Sequence, residues 1–447
     1  MLDQSFSSAN FRKIFDLQNR AGHYLEGRYF PELEKLSRQL KSCAGGFKKL
    51  KAKLNGFQFS RQQYDDAKAK LNKSRQGFEA KKEELLTQEL ERIAQEIAKP
   101  SFGFRFRKAT LRGGKKGYVA DPTDPVTFFC IKQLQSNLRS VFKVKQGNRH
   151  AIVSHLKSLL GDKFPKSIVR TDLEDFYESV DQRALIKEVM AHSLLSLTSK
   201  RFLQKYFDAC PGSGLPRGIG LSALLSEVSL MQMDRRIQDM PDVIYYGRYV
   251  DDIIVLFSSQ VSLPANIYEK RLTDLIRTFD HTHNQAKTFS FNLPDGSQPR
   301  QFEYLGYRLN CKQGGGIEIG LSSRRVQKYK LRIARAFDDY SLGARHDEKS
   351  ARRLLINRLQ FLTSNTRLAN NKKHVYVGAF FSNPHISDLT ELRELDAYLQ
   401  RLNSRRGSAA LRQKIQNFSF VAGHAERRFA VFTPHELEQI GTIWSDA

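Results

Sequence analysis

The sequence predicts an α+β fold, and three observations carry that expectation. Apolar residues recur at helical spacing in Leu86, Leu90, Ile93 and Ile97, and again in Val326, Tyr329, Ile333 and Phe337. Two mid-chain segments, SIVRTDLEDFYESV (167–180) and VIYYGRYVDDIIVLF (243–257), hold β-branched and aromatic runs of strand type around acidic residues. Helix-like sequence lies both before and after these strand-like segments.

The 447 residues carry 73 Lys+Arg against 47 Asp+Glu, a formal charge of +26. That length suits two or three domains, because single hydrophobic cores stop growing near roughly 250–300 residues. Apolar residues make up 40% of the chain, enough to bury a core and to set it apart from disordered sequences. Such a basic balance is the electrostatic footprint of a polyanion binder, with nucleic acid as the expected partner. The four cysteines (Cys43, Cys130, Cys210, Cys311) are scattered, without a C-x-x-C pair, so neither a disulfide framework nor a zinc ribbon is expected. MLDQSFSSANF lacks signal-peptide patterning, and no apolar run reaches the ~20 residues that span a bilayer. A soluble cytoplasmic protein without a membrane partner is expected.

Along the chain, residues 1–100 read as a charged helical extension whose last helix stops at Pro100. In SFGFRFRKATLRGGKKGYVA (101–120), Phe102, Phe104 and Phe106 alternate with small or basic residues. This predicts a strand, with Gly113-Gly114 as the turn of a basic hairpin. Arg105, Arg107, Arg112, Lys115 and Lys116 suit phosphates. Residues 126–160 and 321–340 read as helices. The second carries Arg324, Lys328 and Arg332 away from its apolar stripe, which suits contact with a duplex backbone. Residues 341–350 read as a linker, and 351–402 as helices around a strand-like piece at 374–381.

The carboxylates point to chemistry. Asp172 ends the first strand, and Asp251-Asp252 sits at the tip of the hairpin. Adjacent acids in an apolar frame repel and are desolvated, which a cation must offset. Oxygen-only ligands favour Mg²⁺ or Mn²⁺. Two such ions clamp the attacking and leaving oxygens of an in-line phosphoryl transfer. No protein nucleophile is then required.

Five segments in order resemble the reverse transcriptase palm: DLEDFYESV (172–180), GLPRGIGLSALLSEVSL (214–230), YVDD (249–252), HNQAKTFSF (283–291) and FEYLGYRL (302–309). They match, in turn, the first catalytic motif, the Gly-x-Pro-x-Gly-x-x-x-Ser loop, the Tyr-x-Asp-Asp box, the Lys-containing motif and the primer-grip hairpin. The resemblance implies a right-hand polymerase with fingers (101–165), antiparallel-sheet palm (166–310) and helical thumb with the C-terminal region (311–447). It implies Asp172, Asp251 and Asp252 as catalytic acids, with Leu173 beside them as a fourth metal position. Tyr177 falls at the family's steric gate, where an aromatic ring excludes the ribose 2′-hydroxyl and favours dNTPs. Arg217, Gly218 and Lys287 fall at nucleotide-binding positions.

Several features depart from the family pattern. Arg217 stands where many members have Gln, and Glu227 where retron enzymes have Asn. Without a retron thumb signature, an H-N-H endonuclease pattern or an RNase H set, the chain most resembles stand-alone reverse transcriptases of antiphage defence. RGIGLSALLSE, RLQFLTSNTRL and VYVGAFFSN are similar to the type 3 class. In that class the enzyme works with a noncoding RNA and a second reverse transcriptase, making a DNA product. Two other readings stay open from the residues alone: a catalytically idle RNA-binding scaffold, and a polymerase that adds nucleotides without a template.

Overall fold

The computed structural model describes residues 3–111, 113–258, 263–293, 300–313, 315–368, 375–406 and 408–444. In chain order the first elements are α1 (Ser8–Arg20), α2 (Leu25–Tyr29), α3 (Pro31–Asn55), α4 (Arg61–Ala98), β1 (Phe106–Thr110), β2 (Lys116–Ala120), α5 (Pro125–Phe142) and α6 (Arg149–Leu160). There follow β3 (Lys166–Asp172), α7 (Phe176–Ser179), α8 (Gln182–Ala191), α9 (Leu197–Asp208), α10 (Gly220–Ser229) and α11 (Met231–Gln238). Next come β4 (Val243–Tyr249), β5 (Asp252–Ser258), α12 (Ala265–Arg277), β6 (Phe289–Leu293), β7 (Arg300–Tyr304), β8 (Tyr307–Cys311) and β9 (Ile317–Leu321). The chain closes with α13 (Ser323–Gly343), α14 (Glu348–Thr363), β10 (Asn365–Arg367), β11 (Tyr376–Gly378), α15 (Thr390–Arg406), α16 (Ala409–Ile415), α17 (Phe420–Ala425) and α18 (Pro434–Gly441). The fold class is α+β, as expected, with all named strand pairings antiparallel.

Two compact units share these elements. Met1–Lys145 with Val180–Ser229 forms one, and Gln146–Ser179 with Leu230–Ala447 the other. The units interleave along the chain. The reason is sheet pairing: β3 joins strands that come more than seventy residues later.

In the first unit the four buried residues of α4 are Leu86, Leu90, Ile93 and Ile97, the stripe read from the sequence. They join Phe11, Leu33, Phe129 and Leu134 in a core. The strand expected from Phe102 begins only at Phe106. Phe102 and Phe104 are instead ring-packed side chains: Phe102 meets Phe202 edge-on at 5.5 Å, and Phe104 stacks on Phe106 at 5.6 Å. Packing against α9 supersedes the alternation as the cause of that pattern. The hairpin turn does fall at Gly113 and Gly114, both at positive φ.

One glycine of the Gly-x-Pro-x-Gly loop is required by close backbone approach. Gly218 has φ +92, and a Cβ there would lie 2.3 Å from the Tyr118 carbonyl oxygen of β2. The Tyr118 amide also donates to the Arg217 carbonyl at 2.8 Å. Gly218→Ala is therefore expected to destabilise the chain by on the order of 2–3 kcal/mol. A thermal melt showing no loss would mean that β2 yields freely at this contact.

In the second unit the main sheet has strand order β4-β5-β3-β6. One face carries Ile168, Ile254 and Leu256, which join the core formed with α6, the β7-β8-β9 sheet and α13–α18. α11 and α12 also pack against the strands. Within α13, Val326, Ile333 and Phe337 are buried and Tyr329 is half-buried. The linker expected at 341–350 shrinks to four residues, because α13 continues to Gly343 and α14 begins at Glu348. Of the strand-like piece expected at 374–381, only Tyr376–Gly378 is strand, β11, paired with β10 upstream; residues 379–381 form a turn, and His374 lies outside the described residues.

Candidate active site

The site is built at one end of the main sheet. Apolar β-branched residues Ile168, Val169, Ile253, Ile254 and Val255, all fully buried, fix β3 and β5 as central strands. The register sets Asp172 directly opposite Asp252, with Tyr249 of β4 on the other side of Asp252. Opposed residues of an antiparallel pair project from the same face, so the two carboxylates share one face. Asp251 belongs to the two-residue turn between β4 and β5. Its carbonyl accepts from the Leu173 amide at 3.1 Å, which fastens the turn to the end of β3.

That turn is conformationally demanding. Val250 sits at φ +62, a left-handed backbone that a β-branched residue rarely adopts. Arg248 donates from Nη1 to the Val250 carbonyl at 2.9 Å. The same guanidinium grips Asp234 of α11 through Nε at 2.8 Å and Nη2 at 2.6 Å. Tyr246 adds a hydroxyl bond to Asp234 at 2.5 Å. An ion pair on a buried arginine thus holds the acidic turn in shape.

Each opposed acid is matched by a cation. Lys287, in a short helical turn at Gln285–Lys287, donates Nζ to Asp172 Oδ2. Arg170 donates Nε and Nη2 to Asp252 Oδ1 at 3.1 and 2.8 Å, and Nη1 to the Lys287 carbonyl at 3.0 Å. Burial pushes the Asp252 carboxyl up from its ordinary value. Arg170 opposes that shift, and the charges of Asp172 and Asp251 add to it. The register and the turn bring Asp172, Asp251 and Asp252 to the same end of the sheet, although among the described residues no three His, Cys, Asp or Glu side chains already form a metal-binding group. Lys287 and Arg170 supply the charge balance of Asp172 and Asp252 in this structure. The donor set nevertheless suits a hard divalent ion, because Asp172, Asp251 and Asp252 offer oxygen alone. Leu173 is 2% exposed with a hydrocarbon side chain, so only its backbone carbonyl is a candidate ligand.

Tyr177 lies in α7, just beyond Asp172, half-buried with its ring 5.6 Å from Phe176. Arg217 and Gly218 belong to the first unit, where Gln182 donates to the Gly214 carbonyl at 2.7 Å and Ser222 donates to that of Pro216. Arg105, Arg107, Lys115 and Lys116 are exposed on or beside the β1–β2 hairpin, and Arg112 lies outside the described residues. Arg324 and Lys328 are exposed on α13, but Arg332 is half-buried, 5.6 Å from the Trp444 ring centre.

Sequence reasoning overlooked Arg170, Arg248 and Asp234. Arg170 was detectable, because it lies two residues before Asp172 and so on the same strand face. Asp234 carried no such signal, since it meets Arg248 only through packing of α11 on β4.

The family model for reverse transcriptase (RNA-dependent DNA polymerase) matches residues 67–309, more than half of the chain. The chain belongs to the reverse transcriptase family. No curated protein matches it in sequence. Similar solved structures include apo telomerase from Candida tropicalis truncated from the C-terminal domain, at 14% identity and TM-score 0.36, covering 50% of this chain and 56% of that one. Telomerase from Candida albicans in complex with a TWJ fragment of telomeric RNA is similar at 13% identity and TM-score 0.32, covering 70% and 53%. The chain thus spans little more than half the length of either telomerase chain.

Proposed function

We propose that this protein is an RNA-directed DNA polymerase that extends a 3′-hydroxyl primer with dNTPs. The observation carrying the proposal is the direct pairing of Asp172 with Asp252 beside the Asp251 turn, inside the segment that matches the family. Asp172, Asp251 and Asp252, with the Leu173 carbonyl, would hold Mg²⁺ or Mn²⁺. Such ions would supply Lewis acidity to the 3′-hydroxyl and to the departing pyrophosphate. Arg170 keeps Asp252 oriented. Lys287, half-exposed on a flexible stem, neutralises the pyrophosphate once it leaves Asp172. Tyr177 excludes the ribose 2′-hydroxyl, and Arg217 with Gly218 belongs to the nucleotide-binding loop. The exposed cations of the β1–β2 hairpin, together with Arg324 and Lys328, contact nucleic-acid backbone, and Arg332 supports that helix face.

The template is a noncoding RNA, and the setting is cytoplasmic antiviral defence beside a second reverse transcriptase. Support for this part of the proposal is the sequence resemblance at RGIGLSALLSE and VYVGAFFSN. One observation favours a second reading, an idle RNA-binding scaffold: Lys287 and Arg170 already neutralise the acids.

Purified protein given labelled dNTPs, Mg²⁺ and a primed RNA separates the two readings. Extension that copies the template supports polymerisation, and tight RNA binding without incorporation supports the scaffold. In the same assay Tyr177→Ala is expected to raise ribonucleotide use by about 10²-fold or more. Unchanged sugar discrimination would remove Tyr177 from the gate.

A further inference from the structure

Outside the acid site the second unit exposes a group of aromatic rings. Tyr376 of β11 is 41% exposed, and Phe429, beyond α17, is 54% exposed. Tyr376 stacks on half-buried Phe381, with ring centres 5.1 Å apart and planes 27° apart. Phe429 joins both, its centre 5.9 Å from Tyr376 and 5.7 Å from Phe381. Apolar residues alternate along this segment: Ala430 and Phe432 are buried, while Phe429 and Val431 stand in solvent. Contiguous apolar rings left in water mark a binding surface.

The rings sit on a fixed frame. Asn365 of β10 is fully buried. Its Oδ1 accepts from the amides of Phe380 and Phe381 at 2.9 and 3.3 Å. Its Nδ2 donates to the carbonyls of Gly423 and Arg428 at 2.8 and 3.1 Å. Every donor and acceptor of that amide is thus used. The Asn365 backbone pairs with Gly378 on one side and Phe429 on the other. One residue therefore joins both ring-bearing segments, and rings ordered in advance lose little freedom on binding. The charge around them is positive. Exposed Arg367 pairs with Tyr376 across β10 and β11. Exposed Arg427 holds its guanidinium 4.2 Å from the centre of the Phe380 ring, which meets Phe381 edge-on at 5.3 Å. Residues 364–381 and 417–432 contain one acid, Glu426, and Arg428 engages it at 2.7 Å.

We propose that Tyr376, Phe381 and Phe429 form a platform on which unpaired bases of a single-stranded RNA stack, with Arg367 and Arg427 meeting its phosphates. Every base has a face that stacks on an aromatic ring, and neighbouring cations follow the backbone. Bases inside a duplex already stack on one another, so exposed rings select unpaired nucleotides. A second copy of this chain is a poor occupant, because the same arginines and a formal charge of +26 oppose self-association. The platform is tied to α13, the helix of exposed Arg324 and Lys328: Asn383 Nδ2 donates to the Tyr329 hydroxyl at 3.2 Å. The choice of RNA over DNA rests on the polymerase reading, in which the template is RNA. The stacking does not.

The test uses the full chain and a single-stranded RNA of about ten nucleotides. The RNA carries fluorescein for anisotropy, or one 2-aminopurine, whose fluorescence falls on stacking. Tyr376→Ala and Phe429→Ala are each expected to weaken binding about tenfold and to reduce the 2-aminopurine quench. Their salt dependence should stay as in the wild type, because no charge is lost. Arg427→Gln is instead expected to lower the slope of log affinity against log salt by about 0.7. Tyr376→Phe and Phe429→Trp keep a ring and are expected to bind as the wild type does. Should an alanine variant fail to fold, Tyr376→Leu and Phe429→Leu, which keep apolar bulk without a ring face, decide in its place. Unchanged RNA affinity and quench in these variants overturns the platform. An equal loss on an RNA–DNA duplex overturns stacking on unpaired bases. A tighter hold on single-stranded DNA of the same sequence overturns RNA as the occupant, and RNA held at least as tightly supports it. Self-association in sedimentation that Phe429→Ala abolishes, with RNA affinity unchanged, overturns the platform in favour of a second copy. Primer extension is read separately. A wild type that binds RNA through these rings yet adds no nucleotide refutes the polymerase reading and leaves the platform standing.

Discussion

Asp251→Asn is expected to cut nucleotide incorporation by about 10³-fold or more, with the melting temperature nearly unchanged. The side chain sits in a turn and is half-exposed, so its charge contributes little to packing. What fastens the turn to β3 is the Asp251 backbone carbonyl, through the Leu173 amide, and that bond survives the substitution. Asp172→Asn should behave similarly, because Lys287 is half-exposed and rehydrates once its partner is neutral. Asp252→Asn is expected to have the mildest effect on rate, since Arg170 already engages that carboxylate. Single-turnover primer extension together with a thermal melt checks all three. Normal extension by Asp251→Asn would exclude these acids as the reaction centre.

Asp252 also has a pH signature. Its carboxyl titrates above the ordinary range in the folded chain, so the folded state holds the proton more readily than the unfolded state does. Its contribution to stability is therefore greatest at low pH and falls as pH rises from the ordinary carboxylate pKa through the raised one. Asp252→Asn removes that slope.

The largest loss of stability is expected from Asp234→Ala. Arg248 is 7% exposed in its side chain, and removing Asp234 takes away the carboxylate that this buried guanidinium grips through two donors, at a cost of about 3–5 kcal/mol. The double replacement Asp234→Leu with Arg248→Met removes both charges and should recover most of that stability. It should not recover activity. Without Arg248 the Val250 carbonyl loses its donor and the left-handed Val250 loses a restraint, so Asp251 drifts from its place. A misplacement of that kind is expected to lower the rate about 10²-fold. Melting temperature and rate measured on the same variants separate the two effects. A double variant with wild-type rate would reduce this network to a purely structural element.

Much of the local architecture was legible in the residues. Leu86, Leu90, Ile93 and Ile97 do form the buried stripe of α4, because helical periodicity is a property of neighbouring residues. The hairpin carrying Asp251 and Asp252 was equally plain, with apolar runs on both sides of a polar tip. Phe102 and Phe104 misled, since alternation suits a strand but also suits rings stacked on a helix, and only the presence of Phe202 and Tyr206 decides between them.

The sequence by itself determined the helices, the acidic hairpin and the strongly basic charge balance, all of which follow from short-range spacing or from composition. Tertiary structure alone decided that Asp172 faces Asp252 and that Lys287 and Arg170 neutralise those acids. Strand register and charge pairing depend on which distant segments pack against one another. A one-residue shift of β3 against β5 would turn Asp172 to the opposite face of the sheet, and no local pattern in the chain records that choice.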